Sequence, residues 1–184
     1  AGMVRKSIED GNLPLILGGD HSIAVGSILG AQSVKKNIGV LWIDAHGDYN
    51  TPENTLSGNL HGMSLAAATG QGPITLTCFK NGEVTYINPQ NVVLVGARDI
   101  DDEEALLIKK NGITVFTMTD IDMYGMREVM RKALNIVETD TEGFHLSFDM
   151  DVISPNEAPG VGTPVQGGIT YREAHLAAEM IAES

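Results

Sequence analysis

The ten residues Gly39-Val40-Leu41-Trp42-Ile43-Asp44-Ala45-His46-Gly47-Asp48 give the clearest indication of the fold class. The first five form a continuous apolar run, and alternating Asp and His residues follow at once. Such a run is typical of a strand that is buried on both faces of a parallel sheet. Residues i, i+2 and i+4 of an extended chain point to one side. We therefore expect Asp44, His46 and Asp48 to share one side of the chain after the strand.

Other short apolar runs alternate with longer amphipathic stretches along the chain. The predicted strands are 13–17, 39–43, 91–95, 113–116 and 146–148. The predicted helices include 22–34, with Ser22 near its N-cap, and 101–110, which begins acidic and ends basic before Gly112. Strands separated by helices predict an α/β fold in which a mainly parallel sheet is covered on both faces.

Two further helices are predicted near the end of the chain. Apolar residues recur at helical spacing from Met126 to Val137, so this methionine-containing stripe is interpreted as core and not as a cofactor site. Thr170 with Glu173 has the pattern of a capping box that starts a last helix. That helix has no stop signal, and the first residues resemble the tail of a helix closed by Gly11. We expect one domain over residues 1–184, incomplete at both termini.

Composition excludes several classes of protein. The net charge is −12, which disfavours nucleic acid and anionic membranes as partners. No apolar run approaches the ~20 residues that span a bilayer, and the chain opens without a secretory signal. The single cysteine, Cys78, cannot form an internal disulfide, which fits a reducing compartment. These features predict a cytoplasmic location.

Polar clusters follow three of the predicted strands, and they contain Asp and His residues. They are Gly18-Gly19-Asp20-His21-Ser22, Asp44-Ala45-His46-Gly47-Asp48 and Asp149-Met150-Asp151. The carboxyl ends of parallel strands meet at one edge of a sheet, so these clusters are expected to converge. A solvated acidic loop with one N-capping Asp is the simpler alternative. This alternative explains less of the sequence, because alternating Asp residues recur after the strand at 146–148 and a His follows the strand predicted at 13–17.

The converging side chains predict a metal site with oxygen-rich ligands. The candidate ligands are His21, Asp44, His46, Asp48, Asp149 and Asp151. A hard donor set without thiolate favours manganese over a structural zinc site. Six side chains are too many for one ion that also holds a water, so two ions sharing carboxylates fit better. Such a site would lower the pKa of water from ~15.7 towards ~7 and supply hydroxide.

The remaining histidines have different predicted roles. His61 lies in a Gly-flanked loop after the second cluster, and it is either a surface residue or a proton shuttle. His145 precedes an apolar strand and is predicted to be structural. His175 lies on a predicted helix, where it packs or faces solvent.

With their neighbouring residues, the three clusters resemble the three signatures of the ureohydrolases: Gly18-Gly19-Asp20-His21-Ser22, Asp44-Ala45-His46-Gly47-Asp48-Tyr49-Asn50 and Ser147-Phe148-Asp149-Met150-Asp151. Three further stretches resemble the arginases among them. Those stretches are Ser57-Gly58-Asn59-Leu60-His61-Gly62-Met63, Gly96-Ala97-Arg98-Asp99-Ile100-Asp101 and Pro159-Gly160-Val161-Gly162-Thr163-Pro164-Val165-Gln166-Gly167-Gly168. The similarity runs through essentially the whole chain and is greatest to bacterial arginases. It implies a three-layer α/β/α fold, two Mn(II) ions, a homotrimer or homohexamer of the full-length protein, and hydrolysis of L-arginine to L-ornithine and urea by a metal-bridging hydroxide.

The resemblance also implies a role for individual residues. His21 and Asp48 would bind one manganese, His46 and Asp151 the other, with Asp44 and Asp149 bridging both. His61 would transfer protons, aided by Asp149. The residues implied in substrate binding are Asn50 and Ser57 for the α-carboxylate, Asp101 with Glu104 for the α-amino group, and Thr163 near the guanidinium.

Two departures leave other functions open. Val152-Ile153-Ser154 stands where the family usually has Gly-Leu-Asp before Pro155, and the family's C-terminal segment, whose Glu pairs with the guanidinium, has no counterpart in these residues. The alternatives are a hydrolase of agmatine or a guanidino acid, a single-zinc amide deacetylase of similar topology, and a metal-binding but catalytically silent fragment.

Overall fold

The computed structural model describes residues 1–77 and 85–184, and Cys78 lies outside the described residues. The described part contains a parallel four-stranded sheet in the order β3-β2-β1-β4. The strands are β1 (Gly39–Ile43), β2 (Val92–Ala97), β3 (Thr114–Thr117) and β4 (Phe144–Phe148). The predicted bounds of β1 are confirmed, and those of the other three strands are correct to within two residues.

Helices cover both faces of the sheet, which confirms the three-layer α/β/α architecture. They are α1 (Gly2–Glu9), α2 (Ile23–Gln32), α3 (Ser64–Ala68), α4 (Ile74–Thr77), α5 (Asp102–Asn111), α6 (Met118–Tyr124), α7 (Met126–Glu138) and α8 (Tyr171–Ala182). Among the described residues, no helix has the length and apolar character needed to cross a bilayer.

The alternating side chains of β1 divide the core into two layers. Leu41 and Ile43 pack with α6, α7 and α8, whereas Val40 and Trp42 pack with α2, α3 and α5. All five residues of β1 are buried, as expected for a central strand with helices on both sides. Because both faces of β1 are buried, every position of the strand carries glycine or a hydrophobic side chain, and its sequence is a continuous apolar run.

The helix signals of the sequence correspond to observed elements. The predicted stripe of α7 is buried at every position: Met126, Val129, Met130, Ala133, Leu134 and Val137. Helix α5 ends at Gly112, whose φ of 77° is in the left-handed region that glycine adopts without strain. Thr170 caps α8, since its Oγ1 accepts a hydrogen bond from Glu173 N at 3.3 Å, and its own N–H donates to the Glu173 carboxylate at 2.8 Å. Ser22 occupies the N-cap of α2, although its side chain makes no capping hydrogen bond.

The predicted strand at residues 13–17 is wrong. This segment makes no backbone hydrogen bond with another described residue, and Leu13, Leu15 and Leu17 are 85–96% exposed. An extended segment becomes a strand only when a neighbour pairs with its N–H and C=O groups. This segment and the outer strand β4 line the same cavity, and no described strand lies beside residues 13–17 to pair with them. The local apolar pattern alone therefore predicted one strand more than the four in the described sheet.

Candidate metal centre

The candidate metal ligands lie at the carboxyl end of the sheet, after β1 and β4. The Asp44 N–H continues the pairing of β1 by donating to Val95 O at 3.0 Å. The Asp149 N–H donates to Ile43 O at 2.9 Å. These two bonds hold the first residue after each strand in register, so both acidic clusters leave the sheet side by side. His21 reaches them from the turn that precedes α2.

His21 forms one half of the centre. Its Nδ1 lies 3.0 Å from Asp44 Oδ2, 3.1 Å from Asp48 Oδ2 and 3.2 Å from Asp149 Oδ2. This nitrogen is buried, and none of the described residues gives it a hydrogen bond of normal geometry. A buried ring nitrogen without a partner, surrounded by carboxylate oxygens, has the donor chemistry that a divalent cation requires.

His46 forms the other half. Its Nδ1 lies 3.0 Å from Asp151 Oδ2 and 3.4 Å from Asp44 Oδ1. The two oxygens of Asp44 therefore face different histidines, Oδ2 towards His21 and Oδ1 towards His46. Two groups with metal-ligand spacing share this carboxylate: His21, Asp44 and Asp149, and Asp44, His46 and Asp151.

The electrostatics of the cluster show how strongly its charges interact. Burial lowers the pKa of His21, but the carboxylates of Asp149, Asp44 and Asp48 outweigh it and raise the pKa to about 12. Asp151 and Asp44 raise the pKa of His46 to about 10. Burial, reinforced by the charge of Asp44, raises the pKa of Asp48 to about 7. Without other cations these carboxylates draw protons into the cluster, and divalent ions would replace them.

Two residues that sequence reasoning missed support His21. The indole N–H of Trp42 donates to Asp44 Oδ2 at 3.0 Å, and Ser147 Oγ shares a hydrogen bond of 2.7 Å with His21 Nε2. With the proton on Nε2, the Nδ1 lone pair of His21 is free for a cation. Trp42 and Ser147 are register partners in β1 and β4. Each lies two residues before a candidate ligand, Asp44 or Asp149, so the two-residue period of a strand could have identified both.

The residues expected to bind the substrate backbone lie beside the second cluster. Asn50 Nδ2 donates to Asp101 Oδ2 at 3.1 Å, while Asn50 Oδ1 is buried without a hydrogen-bond partner among the described residues. The Glu104 carboxylate is buried and accepts hydrogen bonds from Tyr49 N at 2.7 Å and Asp101 N at 3.2 Å. Burial raises the pKa of Glu104. Glu104 thus fixes the backbone of Tyr49, which precedes Asn50, and the backbone of Asp101 itself.

Three other predicted residues surround the cluster. Thr163 Oγ1 donates to Asp151 Oδ2 at 3.2 Å. His61 Nδ1 lies 3.6 Å from Asp20 Oδ2, a partner that sequence reasoning missed, and the His61 side chain is 37% exposed. Ser57 is exposed, and its Oγ accepts a hydrogen bond from Asn59 N at 3.2 Å. All of the predicted site residues line one cavity of about 1340 Å³.

The other two histidines are not among the candidate ligands. His145 Nε2 shares a hydrogen bond of 2.9 Å with Ser27 Oγ, and burial lowers the pKa of His145 to about 4. This environment agrees with the predicted structural role. His175 is exposed on α8, where its ring centre lies 4.3 Å from that of Tyr171.

Three comparisons with known proteins all relate this chain to arginases. The sequence model of the Arginase family matches residues 1–184. The chain is 48% identical to an arginase of Bacillus caldovelox and 50% identical to one of Brevibacillus brevis, over all of this chain and 61% of each relative. The crystal structure of an arginase from Bacillus cereus superposes with a TM-score of 0.93 at 50% identity, over 98% of this chain and 62% of that one. This chain therefore spans about 61% of the length of its curated relatives.

Proposed function

Since the chain belongs to the arginase family, we propose that it hydrolyses the guanidinium group of L-arginine to L-ornithine and urea at a site for two Mn(II) ions. The observation that carries this proposal is the position of Asp44, whose two oxygens face His21 and His46. A carboxylate in that position can serve two cations at once. We treat residues 1–184 as one catalytic domain.

Each half of the cluster would hold one ion. His21 and Asp48 would bind the first, His46 and Asp151 the second, and Asp44 with Asp149 both. Oxygen and imidazole donors without thiolate favour manganese over a structural zinc site. When bound, the two ions would lower the pKa of water towards ~7 and thereby supply hydroxide at neutral pH.

The chain's own residues would direct the hydrolysis. Water adds to the guanidinium carbon, the bond from that carbon to the side-chain nitrogen of arginine breaks, and the nitrogen leaves with a proton. His61 is the proposed proton carrier, because its half-exposed ring lies on the cavity wall where it can exchange protons with solvent. Asp149, one of the two proposed shared ligands, would assist at the reacting centre.

Substrate recognition would depend on adjacent donor and acceptor groups. The α-carboxylate and α-ammonium groups of an amino acid are bonded to one carbon, so their partners must also be neighbours. Asn50 and Asp101 are in direct contact, which supports Asn50 as carboxylate donor and Asp101 as ammonium acceptor. Ser57 would be a second partner of the carboxylate, and Glu104 would add negative charge behind Asp101. Thr163, bonded to Asp151, would lie beside the guanidinium.

A homotrimer or homohexamer remains a prediction from the family resemblance, and a cytoplasmic location remains a prediction from the composition of the sequence. Light scattering after size-exclusion chromatography would measure the oligomeric state. A predominantly monomeric protein at micromolar concentration would contradict the expected assembly.

Urea release with L-arginine, agmatine and a guanidino acid as substrates, with and without Mn(II), tests the proposal. We expect manganese-dependent urea from L-arginine, with slower cleavage of agmatine, because agmatine lacks the α-carboxylate that Asn50 and Ser57 would bind. Asp44→Asn is the matched control, since it removes the shared charge at almost constant size. Faster cleavage of agmatine or of the guanidino acid would favour the other ureohydrolases, and two bound ions without urea would favour the catalytically silent alternative. One bound zinc would favour an amide deacetylase.

A further inference from the structure

Arg98 uses all of its guanidinium donors on backbone carbonyl groups. The contacts are Nε to Gln166 O at 3.1 Å, Nη1 to Gly96 O at 3.4 Å and Val152 O at 3.1 Å, and Nη2 to Asp151 O and Val165 O, both at 2.7 Å. A guanidinium has five N–H donors in a rigid fork, one on Nε and two on each terminal nitrogen. The five contacts match this distribution, so the group is saturated by the main chain.

The bonded carbonyls belong to three different segments. Gly96 lies at the end of β2, Asp151 and Val152 follow β4, and Val165 with Gln166 lie in the loop 153–168. Arg98 therefore connects the ends of two strands with a loop that returns to the sheet. The base of the loop is closed by Ser154 N, which donates to Ile169 O at 2.9 Å.

The packing around the guanidinium leaves little freedom. A Cβ atom at Gly168 would lie 2.7 Å from Arg98 Nη2 and 2.4 Å from Val152 O. Real Cβ atoms do not approach other atoms so closely, so residue 168 must be glycine for the loop to lie on the guanidinium. Burial lowers the pKa of Arg98, and the nearby charges of Asp151, Asp44 and Asp99 favour its cationic form.

Asp151 is thus held from two directions. Arg98 donates to its main-chain oxygen at 2.7 Å, and Thr163 in the loop donates to its side-chain Oδ2 at 3.2 Å. The same Oδ2 lies 3.0 Å from His46 Nδ1. Loss of the Arg98 contacts would therefore release both the loop that carries the Thr163 hydroxyl and the backbone that carries the Asp151 carboxylate.

We propose that Arg98 is a positioning residue that holds Asp151 and the Thr163 loop in the geometry needed by the His46 half of the metal centre. This inference rests on the proposed two-metal function. It predicts an asymmetric effect, because Arg98 contacts the backbone of Asp151 but is not in contact with His21 or Asp48. Loss of Arg98 therefore lowers the affinity for the ion at the His46 half of the centre and leaves the affinity for the other ion unchanged.

Two substitutions separate geometry from charge. Arg98→Met removes every donor at similar length, and Arg98→Lys keeps the charge but has three donors on a single nitrogen, which cannot match the five-donor fork. Arg127→Met, at an exposed position of α7, is the matched control for loss of one arginine. If Arg98 acted only through charge, Arg98→Lys would behave like the parent protein.

The first measurement is hydrogen exchange of metal-free protein. In both Arg98 variants we expect at least tenfold faster exchange of the backbone amides of Ser154, Glu157 and Ala158, which are hydrogen-bonded at the base of the loop. Exchange in β1 and α7 should equal that of the Arg127→Met control. Unchanged exchange in the loop of Arg98→Met would overturn the proposal.

The second measurement is calorimetric titration with Mn(II). We expect the affinity of one ion to fall tenfold to a hundredfold, as is typical when a residue that orients a ligand is lost, while the other ion binds as before. Equal weakening of both ions, or no weakening, would overturn the proposal. If Arg98→Met does not fold, Arg98→Lys decides the question by the same measurements. If the parent protein binds no manganese, the proposed function fails, whereas hydrogen exchange still tests the loop contact.

Discussion

Trp42 and His21 lie face to face, with ring centres 4.1 Å apart and an angle of 13° between the ring planes. The same indole donates to Asp44 Oδ2 at 3.0 Å, so one buried side chain contacts two candidate ligands. A ligand pair packed against a rigid ring is oriented before any ion arrives, which reduces the conformational entropy lost on binding.

Trp42→Phe is expected to lower manganese affinity tenfold to a hundredfold, because it keeps an aromatic ring but loses the hydrogen bond to Asp44. Calorimetric titration measures this change. Tyr49→Phe is the control, since it removes the hydrogen bonds that Tyr49 Oη shares with Thr69 Oγ1 at 2.8 Å and accepts from Gln71 Nε2 at 2.9 Å, away from the ligands. Equal affinities of Trp42→Phe and the parent protein would contradict the orienting role.

Asp44→Asn is expected to abolish binding of both ions, whereas Asp48→Asn should remove only one. The reason is that Asp44 faces His21 and His46, while Asp48 contacts His21 at 3.1 Å. Metal content after dialysis, measured by mass spectrometry, gives the ratio of manganese to protein. A ratio near that of the parent protein for Asp44→Asn would refute the shared position.

Ser147→Ala is expected to weaken manganese binding by about tenfold to a hundredfold, because His21 Nε2 loses the partner that keeps its proton away from Nδ1. The chain offers a matched control in a second buried Ser–His pair, Ser27 with His145. Ser27→Ala should lower stability without changing the affinity for manganese. The role assigned to Ser147 is wrong if both variants bind manganese equally.

Stability is expected to fall in acid through His145. Burial, aided by the charge of His21, lowers its folded pKa to about 4 from the ordinary value of 6.5. The unfolded chain therefore binds the proton first, and the contribution of neutral His145 is complete above pH 6.5 and is lost as the pH falls towards 4. The loss is on the order of 3 kcal/mol, from ~1.4 kcal/mol per pKa unit.

Urea unfolding of the parent protein and of His145→Gln at several pH values isolates this contribution. The parent should lose more stability than the variant between pH 7.5 and pH 4, since the variant lacks the titrating ring while the acidic cluster is common to both. Parallel pH profiles of the two proteins would show that His145 titrates normally.

Gly47→Ala is expected to cost about 1–3 kcal/mol of stability, the usual penalty of overpacking a filled site. A Cβ atom there would lie 2.6 Å from the Glu104 carboxylate, which holds the backbone N–H groups of Tyr49 and Asp101. Gly160→Ala is the control, because no atom lies within 4 Å of its added Cβ. Chemical unfolding compares the two variants, and equal midpoints would contradict tight packing at Gly47.

The strand β1 and the candidate ligands were accessible from the sequence because both depend on short-range patterns. Burial on two faces makes residues 39–43 continuously apolar, and the two-residue period places Asp44, His46 and Asp48 on one side. The same rule, applied two residues upstream of Asp44 and Asp149, would have identified Trp42 and Ser147. For residues 13–17 the rule failed, because an apolar extended segment carries no information about whether a neighbouring strand exists.

The sequence by itself determined the α/β class, the central strand and the residue types able to hold divalent cations, since each follows from periodicity within a few residues. Only the tertiary structure decided which residues orient them. His21 and Ser147 lie 126 residues apart, and four of the five carbonyls that Arg98 bonds to are 53 to 68 residues away. Such contacts depend on how strands and loops pack together, and the energy of that packing is distributed over the whole core and leaves no local pattern in the chain.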